Sequence, residues 1–149
     1  MWTLKSFDQL TTRQLHAIYK ARTDVFVVEQ NCPYPEVDDL DLIALHLFLE
    51  NSGAIAAYCR IIPGEDLIKL GRVLVSAEHR KEGLGQKLVA QTLKVCQEQF
   101  PDQTIYAQAQ AHLENFYGHF GFVKKSQAYL EDGIPHIDML LEKTNDHLH

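Results

Sequence analysis

The sequence predicts a three-layer α/β/α protein, class α/β, built on one mixed, mostly antiparallel sheet. Three observations support this. The chain has 149 residues, 46% of them hydrophobic, which suits one domain around one core. Helical-period and strand-period segments alternate in the order β-α-β-β-β-α-β-α-β-β, and helices scattered among strands must layer onto a shared sheet. The 8 glycines and 5 prolines fall mostly between periodic stretches, with no repeat to divide the chain. Residues 1–149 therefore read as a single domain, with 143–149 as a loose polar tail.

A short strand near Trp2 to Phe7 opens the chain. Thr11 and Gln14 then form a capping box, and Leu15, Ile18, Tyr19, Arg22 and Phe26 follow at helical spacing. Pro33 and Pro35 remove backbone donors and bias their predecessors to extended geometry, so 32–41 reads as an ordered, acidic loop. Two apolar runs, 46–50 and 54–62, flank Asn51-Ser52-Gly53 and predict a hairpin. Leu67 to Val75 is too short for a helix and reads as a buried central strand. Leu84, Leu88, Val89, Leu93, Cys96 and Phe100 mark the longest helix, stopped by Pro101. In the next strand Ile105, Ala107, Ala109 and Ala111 alternate with Tyr106, Gln108 and Gln110, which presents a polar face suited to a ligand. Leu113, Phe116, Tyr117 and Phe120 make a short amphipathic helix ended by Gly121, and strands at 122–129 and 135–141 complete the order.

Charge and cysteine usage narrow the function. Lys and Arg number 14 against 20 Asp and Glu, a net charge of −6, which argues against nucleic acid as a partner. Cys32, Cys59 and Cys96 are odd in number and lack a C-x-x-C pair, as expected of reduced thiols in a cytoplasmic protein. No apolar run approaches the ~20 residues of a membrane span, and the 8 histidines show no ligand spacing, so neither membrane nor metal is expected. Asp38-Asp39-Leu40-Asp41 lacks the spacing and glycine of a calcium loop. The acidic loop reads as solvated, with long-range attraction for a cationic amine as the other reading.

The chemistry concentrates at Arg72 to Leu88, a buried strand that runs into a basic, glycine-containing turn and then the long helix. Free N–H groups at such a helix start face outward, and the missing Cβ atoms of Gly83 and Gly85 let a pyrophosphate approach. Arg80 and Lys81 add positive charge. G-x-x-x-x-G-K-S/T is absent, and no third small residue follows Gly85, so neither a P-loop nor a dinucleotide fingerprint is present.

Arg80-x-x-Gly83-x-Gly85 resembles the Q/R-x-x-G-x-G/A signature of the GNAT N-acetyltransferase superfamily, whose turn grips the pyrophosphate of acetyl-coenzyme A. Asn115 to Phe122 resembles that superfamily's F-Y-x-x-x-G-F segment. Residues 25–35, Gly71-Arg72-Val73, 109–113 and 131–136 are similar to its ElaA-like branch, so the likeness spans nearly the whole chain.

The resemblance implies a GNAT (acyl-CoA N-acyltransferase) fold and an acetyl-CoA-dependent transfer of acetyl to a primary amine, a small molecule or a peptide. Attack would be direct, in a ternary complex, since no cysteine has a recognisable activating partner. Cofactor contacts would come from Val73, Leu74 and Val75 on the strand, from Arg80, Lys81, Glu82, Gly83, Leu84, Gly85 and Gln86 in the turn, and from Tyr117. Gln110 stands where many relatives carry a cofactor-contacting asparagine. Tyr117 matches the tyrosine that hydrogen-bonds the departing thiolate, although its periodicity alone equally fits a core tyrosine. The position of the glutamate base of some relatives is Lys69 here, which leaves proton removal to water, Glu29, His46 or another cleft group. Glu29, His46 and Arg72 are the candidate acceptor contacts, Arg72 pairing either an acidic acceptor group or a neighbouring carboxylate. The resemblance also admits a homodimer. A non-catalytic acyl-CoA-binding regulatory module is the alternative, because Lys69 is no base.

Overall fold

In the computed structural model, which describes residues 1–142, eight strands share one sheet. They are β1 (Trp2–Ser6), β2 (Leu45–Asn51), β3 (Ala54–Ile62), β4 (Leu67–Val75), β5 (Thr104–Gln110), β6 (Val123–Lys124), β7 (Tyr129–Glu131) and β8 (Ile134–Leu141). The order across the sheet is β1-β2-β3-β4-β5-β8-β6, with β7 paired to β8. Every pairing is antiparallel except β4 with β5, which are parallel and joined over a crossover helix. The expected α/β class and mixed sheet are thus observed.

Helix α1 (Thr12–Arg22) begins at the expected capping box. The Thr11 hydroxyl accepts from the Gln14 amide at 3.0 Å, and the Gln14 side chain accepts from the Thr11 amide at 3.0 Å. The helix then widens into a π-helix over Thr23–Glu29, a change of pitch that apolar spacing does not encode. The β2–β3 turn is primed, with Ser52 and Gly53 at φ +55° and +82°, matching the twist of the flanking strands. Asp132 and Gly133, at φ +52° and +78°, close β7 onto β8 in the same way.

Each sheet face has its own core. On one face, α2 (Leu84–Gln99) and α3 (Glu114–Gly118) cover β3, β4 and β5. Leu88, Val89 and Cys96 of α2 meet Cys59, Ile61, Ile68, Leu70, Ile105, Ala107 and Ala109 there. On the other face, Ile18 of α1 and Val25 pack on Phe48, Tyr58 and Leu74. Because residues alternate along a strand, Tyr106, Gln108 and Gln110 point away from the first core, onto the α1 side of the sheet.

The expected strand over 122–129 is in fact two short ones, β6 and β7. Between them the Ser126 hydroxyl accepts from the Asp138 amide at 2.9 Å. A side chain thereby takes the place of a backbone carbonyl and interrupts the ladder. The predicted tail, 143–149, lies outside the described residues. Among the described residues no helix is long and apolar enough to cross a membrane.

Candidate acyl-CoA and acceptor site

The central feature is a split between β4 and β5. Their parallel ladder runs from Leu67 opposite Thr104 to Leu70 opposite Ala107 and stops, while β4 continues to Val75 against β3 alone. The cause lies on the β3 side. Gly71 faces Arg60 and Leu74 faces Tyr58, so Arg72 and Val73 together oppose Cys59. Two residues against one make a bulge, which bends and over-twists its strand. Arg72 takes it at φ +53°, a left-handed conformation costing roughly 1–2 kcal/mol outside glycine.

Arg72 is held there by the acidic loop. Its Nε donates to Glu36 Oε2 at 2.7 Å and a terminal nitrogen donates to the Glu36 carbonyl at 3.0 Å, with the guanidinium 5.6 Å from the Tyr34 ring centre. The same Glu36 oxygen accepts from Arg22 Nε at 2.5 Å, Arg22 also donates to Asp41 at 2.8 Å, and Arg60 bridges Asp38 and Asp41 at 2.7 and 3.0 Å. The loop is therefore not the solvated segment expected. Glu36 and Asp41 are buried because three guanidiniums need counter-charges. Burial raises the Asp41 carboxyl, but Arg22 and Arg60 outweigh it, so its pKa falls below the ordinary aspartate value. Of the two partners open to Arg72, the structure provides the neighbouring carboxylate.

Past Val75 the chain enters the glycine turn. The Ser76 amide donates to the Ala56 carbonyl at 2.9 Å, a 3-10 turn spans Ala77–Glu82, and Gly83, at φ +71°, starts α2 with no side-chain cap. The first-turn amides of Leu84, Gly85 and Gln86 are thus left without intrahelical partners, facing out with the positive end of the dipole. A Cβ on Gly85 would lie 3.7 Å from the Phe116 ring and 3.8 Å from a Val75 methyl, so these two side chains wall one side of the turn. Lys81, Glu82 and Gln86 are exposed beside it, whereas the Leu84 and Leu74 side chains belong to the cores.

Two predicted residues turn out to be partners. Arg80 Nε donates to the Val75 carbonyl at 3.0 Å, and its guanidinium is paired with Glu29, one bond at 2.9 Å. Glu29, one of the candidate acceptor contacts, ties the end of the π-helix to the glycine turn. The two residues stand 51 apart in sequence, so no local pattern announces the pair.

Tyr117 is buried on α3, with its ring edge-on to Phe116 and Phe122 at 5.2 and 5.6 Å. Its hydroxyl has no hydrogen-bond partner among the described residues and is not among the enclosed unpaired atoms. Burial raises its pKa, which keeps the phenol protonated. Gln110 ends β5, half-buried.

His46 departs from expectation. It is fully buried under Phe7 and Tyr58, its Nδ1 2.6 Å from the Tyr58 hydroxyl and its Nε2 3.0 Å from the Asp41 carbonyl. A carbonyl only accepts, so Nε2 carries the hydrogen and Nδ1 accepts from Tyr58. Burial lowers its pKa, and a neutral, enclosed imidazole does not reach a cleft base's position. Burial also pushes the Cys59 and Cys96 thiols up to about 12.

A cluster absent from the expectations sits on the polar face of β5. Asp138 Oδ1 accepts from Tyr106 at 2.6 Å and from Tyr129 at 2.5 Å, and Gln108 donates to the Tyr129 hydroxyl at 3.0 Å. The alternation of Tyr106 and Gln108 signalled this face, but not the carboxylate 30 residues further on. The β7–β8 turn borders it and meets the N-terminal loop where Cys32 Sγ lies 3.5 Å from the Asp132 carbonyl.

Comparison with known proteins agrees with this geometry. Residues 22–143 match the family model for an acetyltransferase (GNAT) domain. A UPF0039 protein of Schizosaccharomyces pombe is 45% identical, over 93% of this chain and 94% of that protein. Protein ElaA of Escherichia coli is 42% identical over 95% of each chain, and its crystal structure superposes with a TM-score of 0.92, covering 95% of this chain and 99% of that one. An acyl-CoA N-acyltransferase from Pseudomonas aeruginosa, 43% identical, superposes with a TM-score of 0.90 over 94% of this chain and 98% of that one.

Proposed function

Because the chain belongs to the GNAT acetyltransferase family, we propose that it transfers an acetyl group from acetyl-CoA to a primary amine by direct attack in a ternary complex. The observation that carries this reading is the β4–β5 ladder ending at Leu70 and Ala107 while β4 runs on, unpaired on that side, toward the turn that exposes the α2 amides. A bent arm carrying amides and a diphosphate fits that shape. The diphosphate would take the amides of Leu84, Gly85 and Gln86, with Lys81 nearby as a cation. The pantetheine amides would pair with the free edge of Val73 to Val75 as a surrogate strand.

In that arrangement the amine nitrogen attacks the thioester carbon, a C–N bond forms, and the tetrahedral oxyanion takes a hydrogen bond from a β4 N–H. Its collapse breaks the C–S bond. Tyr117, kept protonated by burial, donates to the thiolate as negative charge grows there. Transfer from an ordinary tyrosine near pKa 10 to a thiolate near 8.5 is already uphill by about 2 kcal/mol, and burial of Tyr117 adds to this, so the proton moves completely only as product leaves. Cys59 and Cys96, with thiols raised to about 12, are poor nucleophiles for an acetyl-enzyme. With His46 enclosed and Glu29 held by Arg80, water in the open cleft takes the ammonium proton.

The test is thiol release from acetyl-CoA over a library of amines, run beside a thermal-shift titration. A rise in melting temperature with amine-dependent thiol release is expected. A rise with silence from every amine class would instead support a regulatory acyl-CoA-binding module, and no rise would remove both readings.

A further inference from the structure

We propose that Asp138, held by Tyr106 and Tyr129, is a docking carboxylate for a second, non-reacting ammonium of the acceptor, so that the preferred acceptor is a short diamine. The inference rests on the acyltransferase reading above and specifies its substrate.

The first observation is charge. Glu36, Asp38 and Asp41 each pair with an arginine, whereas Asp138 forms no ion pair with any described residue. Its Oδ1 receives two phenolic protons, and no described residue bonds Oδ2, which is not among the enclosed unpaired atoms. Both phenols have raised pKa values, chiefly from burial, so they stay neutral donors. Of the basic residues close by in the ladder, Lys125 pairs with Glu142. Lys69, whose register partner is Tyr106, makes no ion pair with any described residue. A carboxylate with phenolic donors on one oxygen and no ion-pair partner among the described residues suits a primary ammonium.

The second observation is position. Asp138 is the register partner of Gln108, and Gln108 directly follows Ala107, where the β4–β5 ladder ends. Register partners share a face, which is also the face bearing Arg72, Tyr34 and the β7–β8 turn. With strands about 4.8 Å apart, Asp138 lies one strand beyond β5 and the split half a strand before it, which leaves roughly 7 Å between a docked ammonium and a nitrogen over the split. About four or five methylenes span that distance.

The third consideration separates docking from base catalysis. A carboxylate is a far weaker base than an amine, so an alkylammonium does not hand it a proton. Contact with Asp138 moreover favours the charged form of the amine. The nitrogen at Asp138 therefore stays protonated, and the nucleophile is another nitrogen of the same molecule.

The test compares 1,4-diaminobutane with butylamine as acceptors for the full chain and for Asp138→Asn, which retains an oxygen for both phenols. The wild type should use the diamine with a kcat/KM about tenfold or more above that of butylamine, the size of one charge-assisted hydrogen bond. Asp138→Asn should bring the two within about twofold and leave the acetyl-CoA thermal shift unchanged. Equal use by the wild type, or a preference that survives Asp138→Asn, overturns the proposal. Tyr129→Phe, which keeps the carboxylate, replaces Asp138→Asn if that variant does not fold, and should reduce the preference about threefold; an unchanged preference there counts against the dock. In parallel, 1,4-diaminobutane is titrated into the free protein while the backbone amides of Tyr106, Gln108 and Asp138 are followed by NMR. Silence at these amides overturns the dock even if neither amine is acetylated. A wild type with no acetyl-CoA thermal shift refutes the acyltransferase reading alone, since the titration still decides the dock.

Discussion

Gly85 offers a pair of substitutions whose contrast tests the proposed diphosphate contact at the glycine turn. A Cβ at this position would meet the Phe116 ring at 3.7 Å and a Val75 methyl at 3.8 Å, ordinary contact distances, so Gly85→Ala fits the protein without displacement. It also removes a helix glycine, worth up to about 1 kcal/mol, or about 2–4 °C in melting temperature at this chain length. Gly85→Val adds two γ-carbons. Phe116 and Val75 fill one side, so at least one of these carbons projects over the first-turn amides, where a diphosphate would sit. In the free protein, valine's lower helix propensity offsets much of the gain from losing glycine, leaving melting within about 2 °C of wild type. At acetyl-CoA a hundredfold above Kd, linkage adds about 2.7 kcal/mol to the wild type, or roughly 5–11 °C. A hundredfold weaker Gly85→Val would gain only about 0.4 kcal/mol, near 1 °C. Differential scanning fluorimetry with and without acetyl-CoA reads both quantities. Gly85→Ala should keep the ligand-induced rise and Gly85→Val should lose it; an undiminished rise in the valine variant would refute the placement of the diphosphate.

Three further outcomes are expected. Tyr117→Phe should lower turnover about 10- to 100-fold while changing stability by less than about 1 kcal/mol, because the hydroxyl has no described partner to lose; unchanged steady-state turnover would make Tyr117 a packing residue only. Glu36→Gln takes a charge from between Arg22 and Arg72 and should cost about 3 kcal/mol, a urea midpoint lower by at least about 1 M; an unmoved midpoint would mean the network is energetically idle. Acid should destabilise the protein in two stages. Burial holds the His46 pKa below the ordinary histidine value of 6.5, so its contribution is complete above that pH and is lost as pH falls below it. Asp38 and Asp41, below 3.8 when folded, follow the same sign, their contribution fading as pH drops beneath that value. Urea titrations at pH 7.5, 5.5 and 3.5 resolve the stages, and a midpoint flat from 7.5 to 5.5 would contradict the His46 assignment.

What the sequence disclosed follows from the range of each interaction. The capping box at Thr11 and Gln14, the Ser52-Gly53 hairpin and the Gly83 turn are set by neighbours within a few residues, so local spacing reveals them. The split of β4 from β5 was legible only through the family resemblance. Its physical cause, two residues opposing Cys59, exists only once β3 and β4 are in register. The acidic loop misled because composition cannot distinguish carboxylates facing water from carboxylates facing Arg22, Arg60 and Arg72, 14 to 36 residues away. His46 misled likewise, since its partner Tyr58 lies on the neighbouring strand. Asp138 gave no signal, because its chemistry arises from phenols on β5 and β7 that only the sheet unites.

One oxygen of Glu36 serves both Arg22, at the end of α1, and Arg72, in the kink of β4. The split between β4 and β5 is consequently braced from the far layer of the molecule, through the last residue of a helix. Loosening that brace would let the kinked strand straighten and zip against β5, closing the split from within. Damage far from the chemistry would then surface as lost affinity for the donor.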